Sequence, residues 1–99
     1  GESSPRPTAF HLAPNFPNPF NASTQISYAL AADSAVELRV YNALGQQVRT
    51  LVRQYRETGT YRLDWNGQDD QGRDLSSGTY LLVMRAGGIR QAVKMLLLR

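Results

Sequence analysis

The 99-residue chain contains no cysteine, a single histidine and no long hydrophobic run. Without cysteine there can be no disulfide, thiolate metal site or cysteine nucleophile, so stability has to come from packing; an extracellular address is not excluded by this. His11 has no second imidazole, cysteine or paired carboxylate near it, and a solvated side chain outweighs a ligand or general base. A GxSxG motif, a glycine-rich phosphate loop and a serine with a plausible base are also missing, so the chain reads as a non-enzyme. No apolar stretch approaches the ~20 residues that span a bilayer, and the start of the chain lacks the charged-then-apolar pattern of a signal peptide. If the protein is exported, its export signal lies elsewhere in a longer chain.

Charge is present but dispersed. The 11 basic residues, all but Lys94 arginine, outnumber 8 acidic ones for a net charge of +3, yet they are scattered along the chain instead of forming a run. That distribution argues against nucleic acid as a partner. The only acidic cluster is Asp69, Asp70 and Asp74, in a segment without EF-hand spacing or a following bidentate glutamate. Turn chemistry explains it better than calcium, and no cofactor or metal is expected.

What the chain does have is alternation. In the stretch Gly59 to Tyr80, Tyr61, Leu63 and Trp65 alternate with Arg62, Asp64 and Asn66, the period of a strand with one buried face. Trp65 is the expected core anchor. The next segment, NGQDDQGRDLSSG, suits tight turns, and Thr79 to Arg85 (TYLLVMR) resumes as a strand apolar enough to be covered on both faces. The two strands are expected to pair antiparallel across a hairpin connection.

Elsewhere, Ala9 to Ala13 suits a short edge strand with Phe10 and Leu12 on one side. Ile26, Tyr28 and Leu30 form one face of a half-buried strand over 23–30, and Val36, Leu38 and Val40 form another over 35–41. Gly45 marks a turn into QQVRTLV, read as a strand because Val48, Thr50 and Val52 alternate, with a helix over 46–56 as the competing reading. Arg53 to Thr58 is the expected connection onward. Gly87-Gly88 has the composition of a two-residue hairpin turn, followed by a last strand from Ile89 to Arg99. This is the profile of an all-β, immunoglobulin-like antiparallel sandwich of about seven strands over residues 9–99, with 1–8 as a linker or a cut end.

Pro14 to Asn21 (PNFPNPFN) is stiff and irregular because each proline restricts itself and its predecessor. Phe16 and Phe20 are each expected to plug an open end of the core, and the loop is either a rigid connection or a surface displayed to a partner. The last two strands also carry more apolar residues than a one-sided sheet needs, Leu81 and Val83 and Leu96 and Leu98 among them. Loops or a partner would cover the surplus.

Three features form an ordered set: PNPFN early, VYNALGQQVRTLV with WNGQDDQGRDLSSGTY in the middle, and AGGIRQAVKMLLLR last. Together they resemble the C-terminal sorting domain of proteins exported by the type IX secretion system of Bacteroidota, and the related immunoglobulin-like domain of flagellar hook-capping proteins. Pro17, Asn18 and Pro19, with Phe20 and Asn21, match the early proline motif; Gly78 and Tyr80 match a glycine-x-tyrosine motif; Lys94 matches the basic residue of the terminal motif, and Arg99 departs from it by standing where the family often ends in lysine, with the charge retained. The resemblance implies a domain that does no chemistry. It would be covalently part of a larger secreted protein, pass through the periplasm, be read by the type IX machinery at the outer membrane and reach the outside or the cell surface. The proline-rich start and basic-apolar tail favour sorting over flagellar assembly. The alternative from another class is a carbohydrate-binding or cell-attachment module of a secreted glycan-degrading enzyme, with Tyr41, Tyr55 and Tyr61 as candidate platforms.

Overall fold

Alternating apolar side chains can be buried only if strands pack face to face, and that is the arrangement in the computed structural model, which describes residues 7–99. The strands are β1 (His11–Leu12), β2 (Thr24–Leu30), β3 (Ser34–Tyr41), β4 (Gln47–Arg56), β5 (Gly59–Trp65), β6 (Gly78–Ala86) and β7 (Ile89–Leu97). A three-stranded sheet in the order β1-β2-β5 faces a four-stranded sheet in the order β4-β3-β6-β7, and all strand pairs are antiparallel. Among the described residues no helix forms. Of the linker expected over residues 1–8, residues 1–6 lie outside the described residues, and Pro7 and Thr8 belong to no strand.

The inward faces are those the alternation picks out. Ile26, Tyr28 and Leu30 from β2 meet Val36, Leu38 and Val40 from β3 and Leu82 and Met84 from β6 in one buried cluster. Trp65, at the end of β5, is 1% exposed, with its ring centroid 5.7 Å from that of Phe20 and 5.8 Å from that of Tyr80. The β6–β7 hairpin turns on Gly87 and Gly88, whose φ values of 60° and 77° are the positive pair that a two-residue turn requires.

Several expectations need correction. β5 and β6 do not pair: β5 lies beside β2, β6 lies between β3 and β7, and residues 66–77 cross from one sheet to the other. Alternation assigns faces but not neighbours. Tyr61, Leu63 and Trp65 therefore look across the core toward the sheet of Tyr80, Leu82 and Met84 instead of lying alongside it. β4 is a strand and not a helix, but it continues to Arg56 because Arg53, Gln54, Tyr55 and Arg56 pair with β3. Its polarity reflects a sheet edge, where charge discourages pairing with other chains.

Only one of the two phenylalanines is a plug. Phe20 is 2% exposed and Phe16 is 79% exposed. Phe16 is bridged to Gln25, whose side chain lies on the outer face of β2, and residues directly opposite share a face. β7 ends at Leu97, before the expected Arg99. Nor is β6 covered on both faces throughout, since Leu81 on the outward side is 36% exposed.

The burial of Trp65 yields a direct test. Trp65→Ala should lower the free energy of unfolding by about 3–5 kcal/mol, as for other large-to-small core changes. Urea titration followed by far-UV circular dichroism measures it. A loss below about 1 kcal/mol, the size expected of a surface change, would contradict the core assignment.

Candidate functional site

The residues singled out in the three motifs come together at one end of the sandwich. The Asn18 side chain treats β7 as a neighbouring strand would: its Nδ2 donates to the Lys94 carbonyl at 3.0 Å, and its Oδ1 accepts from the Leu96 amide at 2.9 Å. Two residues on, the Phe20 amide donates to the Leu96 carbonyl and the Leu98 amide donates to the Phe20 carbonyl, a short parallel bridge. The bend that allows this is buttressed from inside. The Pro17 carbonyl accepts from the Thr24 hydroxyl at 2.8 Å and from Asn15 Nδ2 at 3.3 Å, and Asn15 and Thr24 are both buried. Pro17, Pro19, Phe20, Asn21 and Leu98 then enclose an open depression of about 310 Å³.

Gly78 and Tyr80 belong to the same end, through their pairing with Leu97 and Met95. Tyr80 is buried: its ring packs edge-on against Trp65, and its hydroxyl donates to the Ser76 carbonyl at 2.7 Å. Its place in the motif is explained by holding the end of the crossover to β6. Lys94 is exposed, opposite Leu81 on the outward face.

Arg99 is a bound charge. Its Nε donates to the Leu75 carbonyl at 2.6 Å, its Nη2 donates to the Gly67 carbonyl at 2.8 Å and lies 3.6 Å from Asp74, and its amide donates to the Ser77 hydroxyl. Five donors in a rigid fork suit a guanidinium to this use, and β7 delivers it to the crossover loop. Gly67 makes the approach possible: its φ is 74°, and a Cβ there would lie 2.7 Å from the guanidinium.

The aspartates of that loop are committed to turns. Asp69 accepts from the amides of Gln71 and Arg73 and pairs with the Arg73 guanidinium at 3.2 Å. The Arg73 amide is the largest of the influences that hold its carboxyl below the ordinary value. Asp70 accepts from the Thr50 amide, and Asp74 accepts from Gln68 and faces Arg99. Among the described residues, no group of three potential metal ligands converges.

Of the candidate sugar platforms, Tyr61 is stacked on Tyr28 with the Arg56 guanidinium over its ring, whereas Tyr55 is exposed. Tyr41 lines a groove of about 460 Å³ on the outward face of the four-stranded sheet, with Asn42, Thr79, Leu81, Arg85 and Arg90. The two arginines were not singled out from the sequence. Only the β6–β7 register brings them together on one face.

This architecture defines an immunoglobulin-like sandwich whose proline-rich entry loop is laced to its last strand. The chain belongs to the FlgD Ig-like domain family, whose model matches residues 18–88. Among solved structures it is similar to dimeric latent PorU from Porphyromonas gingivalis, with TM-score 0.68 and 23% identity, covering 85% of this chain and 9% of that one. It is also similar to PorZ, described as an essential surface component of the type IX secretion system of P. gingivalis, with TM-score 0.60 and 18% identity over 91% of this chain and 11% of that one. FlgD from P. aeruginosa aligns with TM-score 0.59 and 20% identity, over 77% of this chain and 64% of that one. At these identities the likenesses show the fold. The chain spans about a tenth of the length of PorU and of PorZ, and no curated protein matches it.

Two consequences can be measured. Asn18→Ala removes both bonds to β7 and should lower stability by about 1–2 kcal/mol, at roughly 1 kcal/mol or less for each exposed bond. Hydrogen exchange at the Leu96 amide should accelerate more than at Val83 in the sheet centre; equal changes would mean that Asn18 does not hold this edge. For Asp69, a carboxyl held below its ordinary value of 3.8 stabilises the fold above that pH and loses its contribution as pH falls through the depressed folded value. Asp69→Ala should therefore melt below the wild type at neutral pH, and the gap should shrink below about pH 4. A gap independent of pH would rule out the ionised carboxylate as its source.

Proposed function

We propose that this chain is a non-catalytic C-terminal sorting domain of a larger secreted protein, directing it by way of the periplasm through the type IX secretion system to the outer membrane or cell surface. The observation that carries the reading is the interlocking of the motif residues at one end of the fold. Asn18 grips Lys94 and Leu96, Phe20 bridges Leu97, Gly78 pairs with Leu97, and Arg99 is fastened to the crossover loop. Residues far apart in sequence thus form one composite surface with Lys94 exposed beside it. The similarity to PorZ, itself described as part of that secretion system, supports the same direction. The family match ends at residue 88, before the tail that distinguishes a sorting domain from a hook-cap domain in this reading.

On this reading the export machinery recognises the folded end as a unit and not a linear tail. A reporter carrying residues 9–99 at its C-terminus should reach the surface of a bacterium equipped with the type IX machinery, and should stay in the periplasm without them. Retention of the folded fusion in the periplasm would defeat the proposal. Lys94→Ala is the clean probe of the signal, because an exposed charge contributes little to stability. Its melting temperature should match the wild type while surface delivery falls. Normal delivery would remove Lys94 from the recognised surface and leave the PNPFN ledge. Arg99→Ala is a poorer probe, since losing its bonds to Gly67 and Leu75 should itself destabilise the crossover loop.

A further inference from the structure

The outward face of the β4-β3-β6-β7 sheet carries cations that the fold does not neutralise. Pairing puts Arg53, Glu37, Arg85 and Arg90 in one row across the four strands. The carboxylate of that row, Glu37, is bound to Arg39 at 3.3 Å. Among the described residues, no carboxylate lies within ion-pair distance of Arg53, Arg85 or Arg90. Arg85 and Arg90 stand directly opposite each other on a hairpin, where like charges destabilise the pair. Folding alone gives no reason to place them there.

Beside them runs the 460 Å³ groove, with Thr79, Leu81 and Val83 along β6, Tyr41 and Asn42 at its side, and the two arginines. From Thr79 to Arg85 it follows roughly 20 Å of strand. Its lining has no carboxylate, and with the Tyr80 hydroxyl and the Asn42 amide bonded within the fold, the guanidiniums of Arg85 and Arg90 and the hydroxyls of Tyr41 and Thr79 are its donors. The volume falls in the range of ligand clefts. Arg85 and Arg90, on strands ~4.8 Å apart, can each take a carboxylate as a two-bonded pair.

We propose that this groove binds an acidic polysaccharide whose sugar units carry carboxylates, the charged groups held by Arg85 and Arg90 and the ring faces resting on Tyr41 and Leu81. The hydroxyls of Tyr41 and Thr79 suit the sugar hydroxyls, while the side chain of Asn42 holds the turn at the groove's side through Leu44 and Gln46. This activity is independent of sorting: a domain can bind such a glycan whether or not it is read for export.

The test is affinity electrophoresis of the folded domain in gels containing polygalacturonate, with dextran as the neutral comparison. Wild-type protein should be retarded by polygalacturonate and not by dextran. Arg85→Gln and Arg90→Gln should each weaken binding about tenfold, the effect of losing a charge-assisted hydrogen bond. Tyr41→Ala should weaken it as well, with circular dichroism and melting showing that all the variants fold. Arg62→Gln removes the same charge from the outward face of the other sheet and should leave retardation within about twofold, since only general polyelectrolyte attraction is reduced. An equal loss in Arg62→Gln, equal retardation by dextran, or no retardation by polygalacturonate would each overturn the proposal. The last is the result expected if the arginines serve an acidic protein partner.

Discussion

The contact on which most of this fold depends is the indole of Trp65, held between the rings of Phe20 and Tyr80. Each ring comes from a different part of the chain: the proline-rich entry loop, the end of β5, and the start of β6. The indole Nε1 also donates to the Gln68 carbonyl at 3.0 Å, so the residue that fills this end of the core also sets the path of the crossover loop leaving it. A buried indole needs a partner for its donor, and the chain supplies one three residues on. The glycine-x-tyrosine motif, the proline motif and the crossover are thus all packed around one side chain.

A second constraint is the edge of β7. An open sheet edge presents unpaired amides and carbonyls that invite association, and here the C-terminal part of that edge is covered by the Asn18 side chain and the Phe20 backbone. Asn18 pairs with Lys94 and Leu96 near one end, while toward the other the Gln91 amide donates to the Phe10 carbonyl and accepts from the Leu12 amide, tying β7 to β1 in the opposite sheet. The same loop that closes the edge leaves Pro17, Pro19 and Asn21 exposed. The exposed residues of PNPFN thus sit on a loop that also holds the fold, and loss of delivery in a loop variant has meaning only beside a measurement of its stability.

The two faces of the four-stranded sheet divide the work. The inner face, with Leu38, Val40, Leu82, Met84, Met95 and Leu97 fully buried, holds the sandwich together. The outer face holds Val83 under cover but leaves Leu81 half open and its arginines without carboxylate partners apart from the Arg39–Glu37 pair. The inner face is committed to packing. The outer face is where this chain has room for a property of its own.

Read alone, the sequence determined the class of fold, most strand positions, the inward faces, the glycine turn before β7 and the anchoring role of Trp65, because each depends on spacing between near neighbours along the chain. It also marked Asn18, Phe20, Gly78, Tyr80, Lys94 and Arg99 as members of separate motifs. Only the tertiary structure decided that β5 and β6 lie in different sheets, that Phe16 faces solvent while Phe20 is buried, that Arg99 is clamped by the carbonyls of Gly67 and Leu75, and that Arg85 and Arg90, partners across a hairpin, line one groove. These are matters of which strands become neighbours and in what register. A side-chain period of two specifies a face and is silent about the partner, so such contacts are settled only when the two sheets close on a common core.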